Sequence, residues 1–275
     1  ASYHFSFFEF QTAIAILHFI ENKVDVIILE VGMGGRLDAT NAFQSTTCSV
    51  ITTISFDHQN ILGNSLEEIA REKSGIIKSD SLLFLGFNIK DGPKNVIQHI
   101  CSQKKCKIYQ PTSVETFFNE QTADYQNYNA TTAKLVAQTL SQEGLIPIKP
   151  DLIEQGIRQF YWPARWQKFV YKGKIIFFDG AHNEEGALAI SHQIKNLNEA
   201  PVLIFGSNKE ARAKKMLKIL LPICKKVLIS KSTHERALTA TQIYSCIEPN
   251  YQNDKYVELI DLENISSWLQ KSNDH

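Results

Sequence analysis

Apolar runs of three to seven residues alternate along the chain with longer segments of helical spacing. Val24–Glu30 (VDVIILE) is β-branched and almost continuously apolar, the signature of a parallel strand buried on both faces. Cys48–Ile54 reads the same way and leads directly into Phe56, Asp57 and His58. Leu82–Phe87 and Lys107–Tyr109 are further strands. Helices are predicted over Phe7–Glu21, beginning just after Ser6, and over Ser65–Lys78, with Asn64 or Ser65 as N-cap and Glu67 and Glu68 in the first turn. Pro93–Gln103, Tyr128–Gln142 (stopping at Gly144) and Asp151–Gln159 complete the first set. A boundary is expected near Gln159–Pro163, at the aromatic and proline cluster FYWP. The second set runs Lys174–Asp179 strand, Glu184–Leu197 helix, Val202–Phe205 strand, Lys209–Leu221 helix and Lys225–Ser230 strand. Helices at Thr239–Cys246 and Leu262–Gln270 follow. The pattern predicts two α/β domains with mostly parallel sheets, residues 1–159 and 160–275, with neither internal repeats nor low-complexity segments.

In such sheets ligands collect at the carboxyl ends of the strands. Glu30, Asp57 with His58, and Asp179 occupy those ends. Glycines follow Glu30, in Gly32-Met33-Gly34-Gly35-Arg36-Leu37. A dinucleotide loop fails at the sixth position, and a P-loop would need Gly-Lys-Ser/Thr at its end. By motif the loop is a poor phosphate cradle, and no Walker A sequence occurs. Glu30 has two readings, an acidic ligand for Mg2+ or a cap on neighbouring backbone. His58 suits a hydrogen-bonding role better than one on magnesium, which prefers oxygen.

One helix carries a cation out of place. Leu66, Ile69, Ala70, Lys73, Ile76 and Ile77 fall on one apolar stripe, while Glu67, Glu68, Arg71 and Glu72 lie off it. An inward lysine loses hydration, which lowers its pKa, and a neutral amine can take up CO2 as a carbamate, an oxygen ligand for a hard metal. Spacing alone favours the alternative, in which the stem packs and the ammonium snorkels to water.

Composition narrows the class. The 275 residues are 43% hydrophobic and 21% charged, as in ordinary globular proteins, and 29 basic residues balance 29 acidic ones. That balance argues against nucleic acid or an acidic membrane surface as the main partner. The five cysteines are scattered and odd in number, which fits free thiols in a reducing compartment. No stretch reaches membrane-span length and the first residues do not resemble a secretory signal, so a cytoplasmic location is expected.

The stretches LEVGMGGRLDATN, DHQNILGNSLEEIAREKSGIIK, YQNYNA, WPARWQ and FDGAHN, in this order, resemble the folylpolyglutamate synthase/dihydrofolate synthase family, relatives of the Mur peptidoglycan ligases. The resemblance extends from Phe5 to Ala237. It implies a Mur-ligase-like central ATPase domain, incomplete here, followed by a Rossmann-like C-terminal domain. It also implies ATP-dependent amide formation, with ATP and Mg2+ as cofactors. A carboxylate of dihydropteroate or of a folate such as tetrahydrofolate takes the γ-phosphoryl group, and L-glutamate attacks the acyl phosphate. A monomer is expected.

By the same resemblance, Glu30 and His58 bind the metal and Lys73 is carbamylated, which gives His58 and Lys73 catalytic roles. Asn129, Arg165 and Asp179 contact ATP, with His182 and Asn183 beside them at a helix N-terminus, where anions are favoured. Ser6, Phe7, Phe8 and Glu9, with Leu37, Asp38 and Ala39, lie near the pteroate pocket. Phe7 or Phe8 is equally a core residue or an aromatic stacked on a pterin. The departures are a missing P-loop, Glu184 in place of the proline after DGAHN, a loose match over FGSNKEARAKKML and no final strand region. They point to an internal portion of a longer enzyme, inactive alone, or to a degenerate member. A Mur-type ligase and a non-catalytic folate-binding remnant are the alternatives.

Overall fold

The computed structural model describes residues 4–118, 124–252 and 256–271. The chain divides into two compact units. The first comprises residues 1–115 and 128–157, and the second comprises residues 116–127 and 158–275. Residues 116–118 and 124–127 therefore pack with the second unit although they precede the end of the first.

The first unit contains α1 (Phe7–Glu21), β1 (Cys48–Ile51), α2 (Gln59–Leu62), α3 (Leu66–Lys73), β2 (Leu82–Leu85), α4 (Asp91–Gln103) and β3 (Lys107–Tyr109). It also takes most of α5 (Asp124–Gln142) and α6 (Pro150–Gln159). The strands form a parallel sheet in the order β1-β2-β3, with Cys48 opposite Leu82 and Leu82 opposite Lys107. All four residues of β2 are buried, because both faces of the sheet are covered. Alternate residues of β2 serve alternate cores. Leu83 and Leu85 join Ile51, Ala70, Ile77 and Ile97 on one side, and Leu82 and Phe84 join Leu140 of α5 on the other.

Helix starts follow side-chain chemistry. Ser65 caps α3 by accepting from the N–H of Glu68, whose carboxylate returns a bond to the Ser65 N–H. The α-helix stops at Lys73, short of the predicted Lys78, and Ser74–Ile76 continue as a 3-10 turn. Two features explain the stop. The Ser74 hydroxyl bonds back to the Ala70 carbonyl, and Gly75 lies against the backbone of Arg36, where a Cβ would come within 2.4 Å of the Arg36 Cα.

The predicted strand Val24–Glu30 is not found in a sheet: among the described residues this segment joins none. Val24, Val26, Ile27 and Ile28 are exposed, Ile28 at 89%. Its apolar composition matches a central parallel strand, but such a strand forms only where hydrogen-bonding neighbours flank it. Among the described residues β1 pairs only with β2. The helix α1 is also largely uncovered, with Phe7, Phe10, Ile14, Leu17 and Ile20 all exposed.

The second unit holds an antiparallel hairpin, β4 (Gln167–Tyr171) and β5 (Lys174–Phe178), then α7 (Glu184–Lys195), β6 (Val202–Phe205), α8 (Glu210–Leu220), β7 (Lys226–Ile229), α9 (Ala240–Tyr244), β8 (Val257–Leu259) and α10 (Leu262–Lys271). The last three strands form a parallel sheet, β6-β7-β8. Val227 and Ile229 pack with Ala213, Met216, Leu217 and Leu220 of α8 and with Ile243 of α9. The predicted mostly parallel character holds for both three-stranded sheets. The hairpin is the exception. Its turn residues Lys172 and Gly173 both have positive φ, as a two-residue hairpin turn requires.

Candidate functional site

The glycine loop after Glu30 is built for close packing. A Cβ at Gly32 would meet the Phe8 ring at 2.7 Å, and one at Gly35 would meet the Lys73 carbonyl at 2.8 Å. Gly34 has φ +69°. The Arg36 N–H donates to the Glu72 carbonyl at 3.0 Å, and its Nε donates to both Glu72 carboxylate oxygens at 3.1 and 3.2 Å. The loop is thereby seated on the last turn of α3. Asp38 closes it. Its Oδ2 accepts from the N–H groups of Gly32 and Met33 at 3.0 and 2.9 Å, and its Oδ1 accepts from the Thr40 N–H and hydroxyl at 2.9 and 2.6 Å. The Asp38 carboxylate is thus occupied by its own loop. It starts the 3-10 turn Ala39–Ala42 and leaves Leu37 80% exposed beside it.

The structure brings the two predicted substrate stretches together. The Phe8 ring covers Gly32, and α1 packs against the Ala39–Ala42 turn. Ser6 and Glu9 spend their polar atoms on starting α1. Ser6 Oγ accepts from the Glu9 N–H at 3.2 Å, and Glu9 Oε2 accepts from the Ser6 N–H at 2.7 Å. The backbone bond from Ser6 lowers the Glu9 pKa. Phe7 and Leu37 present the apolar surface here, since both are exposed.

Lys73 is half-buried, and its Nζ donates to the Thr53 carbonyl at 3.3 Å, just beyond the end of β1. The lysine of the apolar stripe therefore reaches the carboxyl end of a strand. His58 lies five residues further on, in the left-handed conformation at φ 49°. Its N–H donates to Asp57 Oδ1 at 2.8 Å, and its Nε2 stands 3.8 Å from that same oxygen. Glu30 is exposed after the unpaired segment. Among the described residues, no three His, Cys, Asp or Glu side chains converge as a metal-holding group. Asn129 is exposed on α5, next to Tyr128, whose ring stacks on Phe87 at 6.1 Å.

The second unit has its own cluster. Asp179, after β5, accepts from the Ala181 N–H at 2.8 Å through Oδ1. Its Oδ2 accepts from the Trp166 N–H at 2.8 Å and from the Tyr125 hydroxyl at 3.2 Å. Arg165 is exposed between two left-handed residues, Ala164 at φ 54° and Trp166 at φ 52°. Each such non-glycine conformation costs on the order of 1 kcal/mol and persists only where surrounding bonds impose it. Those bonds are present. The Gly180 N–H donates to the Ala164 carbonyl at 2.8 Å, and the buried Trp166 ring stacks on Phe177 at 4.6 Å.

Asn183 is the N-cap of α7, accepting from the Gly186 N–H at 2.9 Å. His182 is exposed, its Nδ1 3.2 Å from the Gly180 carbonyl oxygen. Glu184 and Glu185 fill the first turn of α7, and Glu184 pairs with Lys215 at 2.9 Å. Two carboxylates already complement the dipole there, which makes this N-terminus a weak place for a phosphate.

No family model matches the chain. The dihydrofolate synthase/folylpolyglutamate synthase of Bacillus subtilis is 30% identical over 268 residues, covering 88% of this chain and 62% of that protein. In sequence and in fold the chain is similar to the dihydrofolate synthase/folylpolyglutamate synthase family over most of its length. An E. coli FolC structure in complex with DHPP and ADP superposes with a TM-score of 0.78 at 25% identity, covering 98% of this chain and 66% of that one. The Yersinia pestis bifunctional folylpolyglutamate synthase/dihydrofolate synthase, complexed with AMPPNP and a Mn ion, shares the fold with a TM-score of 0.77 at 23% identity, covering 99% and 66%. The chain spans about three fifths of the length of the B. subtilis relative.

Strand ends do not point to Tyr125 and Gln167, which hold Asp179 and the Ala164 N–H in this cluster. Gln167 Oε1 accepts from the Ala164 N–H at 2.9 Å, and its amide donates to the Tyr161 hydroxyl at 2.6 Å. The signal for Tyr125 was present, because it lies four residues before Asn129 on one helix. Its partner, 54 residues away, was not readable.

Proposed function

We propose that this chain is the larger part of an ATP-dependent ligase that adds L-glutamate to dihydropteroate or to a folate through an acyl phosphate. The observation that carries the reading is the 30% identity to a dihydrofolate synthase/folylpolyglutamate synthase across 88% of this chain. The ADP of the E. coli neighbour supports a nucleotide as co-substrate. Asn129 on α5 and Arg165 in its strained turn retain the ATP-contacting roles. Catalysis of this kind is mostly positioning and charge neutralisation, and an arginine fixed in a rigid turn suits it.

Mg2+ is proposed as the metal, held by Glu30 and His58. The donor set fits. A free carboxylate is a hard oxygen ligand, and Asp57 supplies a second oxygen beside the imidazole. When bound, the ion would neutralise phosphate charge. Lys73, turned to a protein carbonyl, is proposed to carry the carbamate, and native mass spectrometry should find the added CO2 on its peptide. An unmodified Lys73 in active protein would remove that part. Leu37 and Phe7, both exposed, are proposed to cover the pterin, with Phe8 fixed beneath on Gly32. The role of Asp38, Ser6 and Glu9 is then to shape the loop and helix that present them.

The proposed setting is a reducing, cytoplasmic one with the protein as a monomer. All five cysteines are free, and among the described residues no helix is long and apolar enough to cross a membrane. The deciding experiment uses the polypeptide from the complete reading frame. Phosphate release from ATP should require both a pteroate or folate and L-glutamate. Release driven by UDP-MurNAc substrates in place of folates would replace this reading with a Mur-type ligase.

A further inference from the structure

Asp179 ends a strand and so looks like a carboxylate offered to a ligand. Its hydrogen bonds point to a different role. Oδ1 holds the Ala181 N–H, and Oδ2 holds the Trp166 N–H and the Tyr125 hydroxyl. The Trp166 bond pins one side of the turn that carries Arg165, and the Gly180 N–H, donated to the Ala164 carbonyl, pins the other. Both pins start from the dipeptide Asp179-Gly180. Arg165 is itself exposed, so its aim depends on the backbone that bears it.

Tyr125 is the side-chain member of this group. It lies half-buried in the first turn of α5, packed against the core of the second unit. Burial raises the pKa of its phenol, the Asp179 charge raises it further, and the Arg165 charge acts the other way. The phenol is therefore a protonated donor at neutral pH, close enough to Arg165 to feel its charge. The Ala181 and Trp166 N–H groups hold the two carboxylate oxygens, and the phenol adds a third bond on the oxygen that carries Trp166, so that without it this side of the turn rests on the Trp166 bond alone.

We propose that Tyr125 is a positioning residue for Arg165: its hydroxyl orients the Asp179 carboxylate, which locks the left-handed turn Ala164–Trp166 and aims the guanidinium. In this role Asp179 acts through Arg165. The proposal rests on the reading of Arg165 as a phosphate-contacting residue given above.

A double-mutant cycle tests it, with Mg-ATP affinity measured by calorimetry on the polypeptide from the complete reading frame. Tyr125→Phe keeps the ring and removes only the hydroxyl. It should weaken ATP binding by up to about tenfold, the case in which the whole worth of one hydrogen bond to a charged group is passed on to Arg165. In the Arg165→Ala background the same change should have almost no further effect, because the group through which Tyr125 acts is gone. In turnover the loss should fall on KM for ATP and leave KM for glutamate unchanged. Equal weakening in both backgrounds would mark Tyr125 as a structural residue and overturn the proposal. So would unaltered ATP affinity in Tyr125→Phe, or in Arg165→Ala alone. Should the protein bind ATP but show no folate-dependent phosphate release, the ligase reading fails, while the cycle still decides the role of Tyr125.

Discussion

Gly86 follows β2 where two backbones nearly touch. A Cβ there would lie 1.9 Å from the Thr52 carbonyl oxygen, an atom of the backbone itself. Gly86→Ala should therefore cost about 3 kcal/mol or more, read as a lowered urea midpoint. Gly144 has open space but φ +70°, so its replacement by alanine should cost only about 1 kcal/mol. Two buried thiols give a pH signature. Burial, then the neighbouring Cys106 thiol, pushes Cys101 up to about 12, and burial alone pushes Cys224 up to about 12. The unfolded chain releases these protons nearer its ordinary value of about 8.5. Between those limits the folded state holds more protons than the unfolded state, so stability should fall as pH rises from about 9 toward about 12. Cys224→Ala should flatten that decline in denaturation curves, and an unchanged slope would count against the burial argument.

At the scale of elements, the capping of α3 and the glycine of α6 are open to direct measurement. Ser65→Ala removes the bond from the Glu68 N–H and leaves the Glu68 carboxylate only its half of the capping box, the bonds it accepts from the backbone N–H groups of residues 64 and 65. A loss of about 1 kcal/mol is expected in chemical denaturation. Gly156 lies within α6 with nothing near its missing Cβ. Gly156→Ala should raise stability by up to about 1 kcal/mol, and a destabilised variant would show that α6 needs the freedom of glycine. The helix starts were legible because caps are local: Ser65, Asn183 and Thr239 all precede predicted or nearly predicted helices. The hairpin β4–β5 was legible in principle from Lys172-Gly173 between apolar runs, yet it was read as a single strand. Its first strand begins directly after the strained turn at Trp166, where no period of two has yet been established.

For the whole molecule, charge and surface act together. Formal net charge is zero near pH 7, and exposed apolar side chains cluster in sequence on α1 and Val24–Ile28. A large apolar surface without net repulsion favours self-association. Light scattering of the 275 residues taken alone should report association near pH 7, whereas the polypeptide from the complete reading frame should scatter as the proposed monomer. Replacing Ile14 and Leu17, exposed at 51% and 60%, with lysine should reduce it. Association that does not respond would move its cause elsewhere on the surface.

The sequence by itself determined the alternation of elements, the α/β class and the residues worth suspecting, because apolar period, caps and strand ends are properties of neighbours along the chain. It also excluded a phosphate cradle at Gly32–Gly35 by motif. Only the tertiary structure decided what those glycines do, seating a loop on Phe8 and on the end of α3, because their partners lie 24 to 38 residues away. It likewise decided that Asp38 and Asn183 serve their own backbones, that Lys73 reaches Thr53, and that Tyr125 meets Asp179. It left Val24–Glu30 out of any sheet among the described residues, against its composition. The physical reason is common to all of these. Hydrophobicity and local propensity are carried by each residue, whereas a hydrogen bond or a close approach belongs to a pair that only the fold brings together.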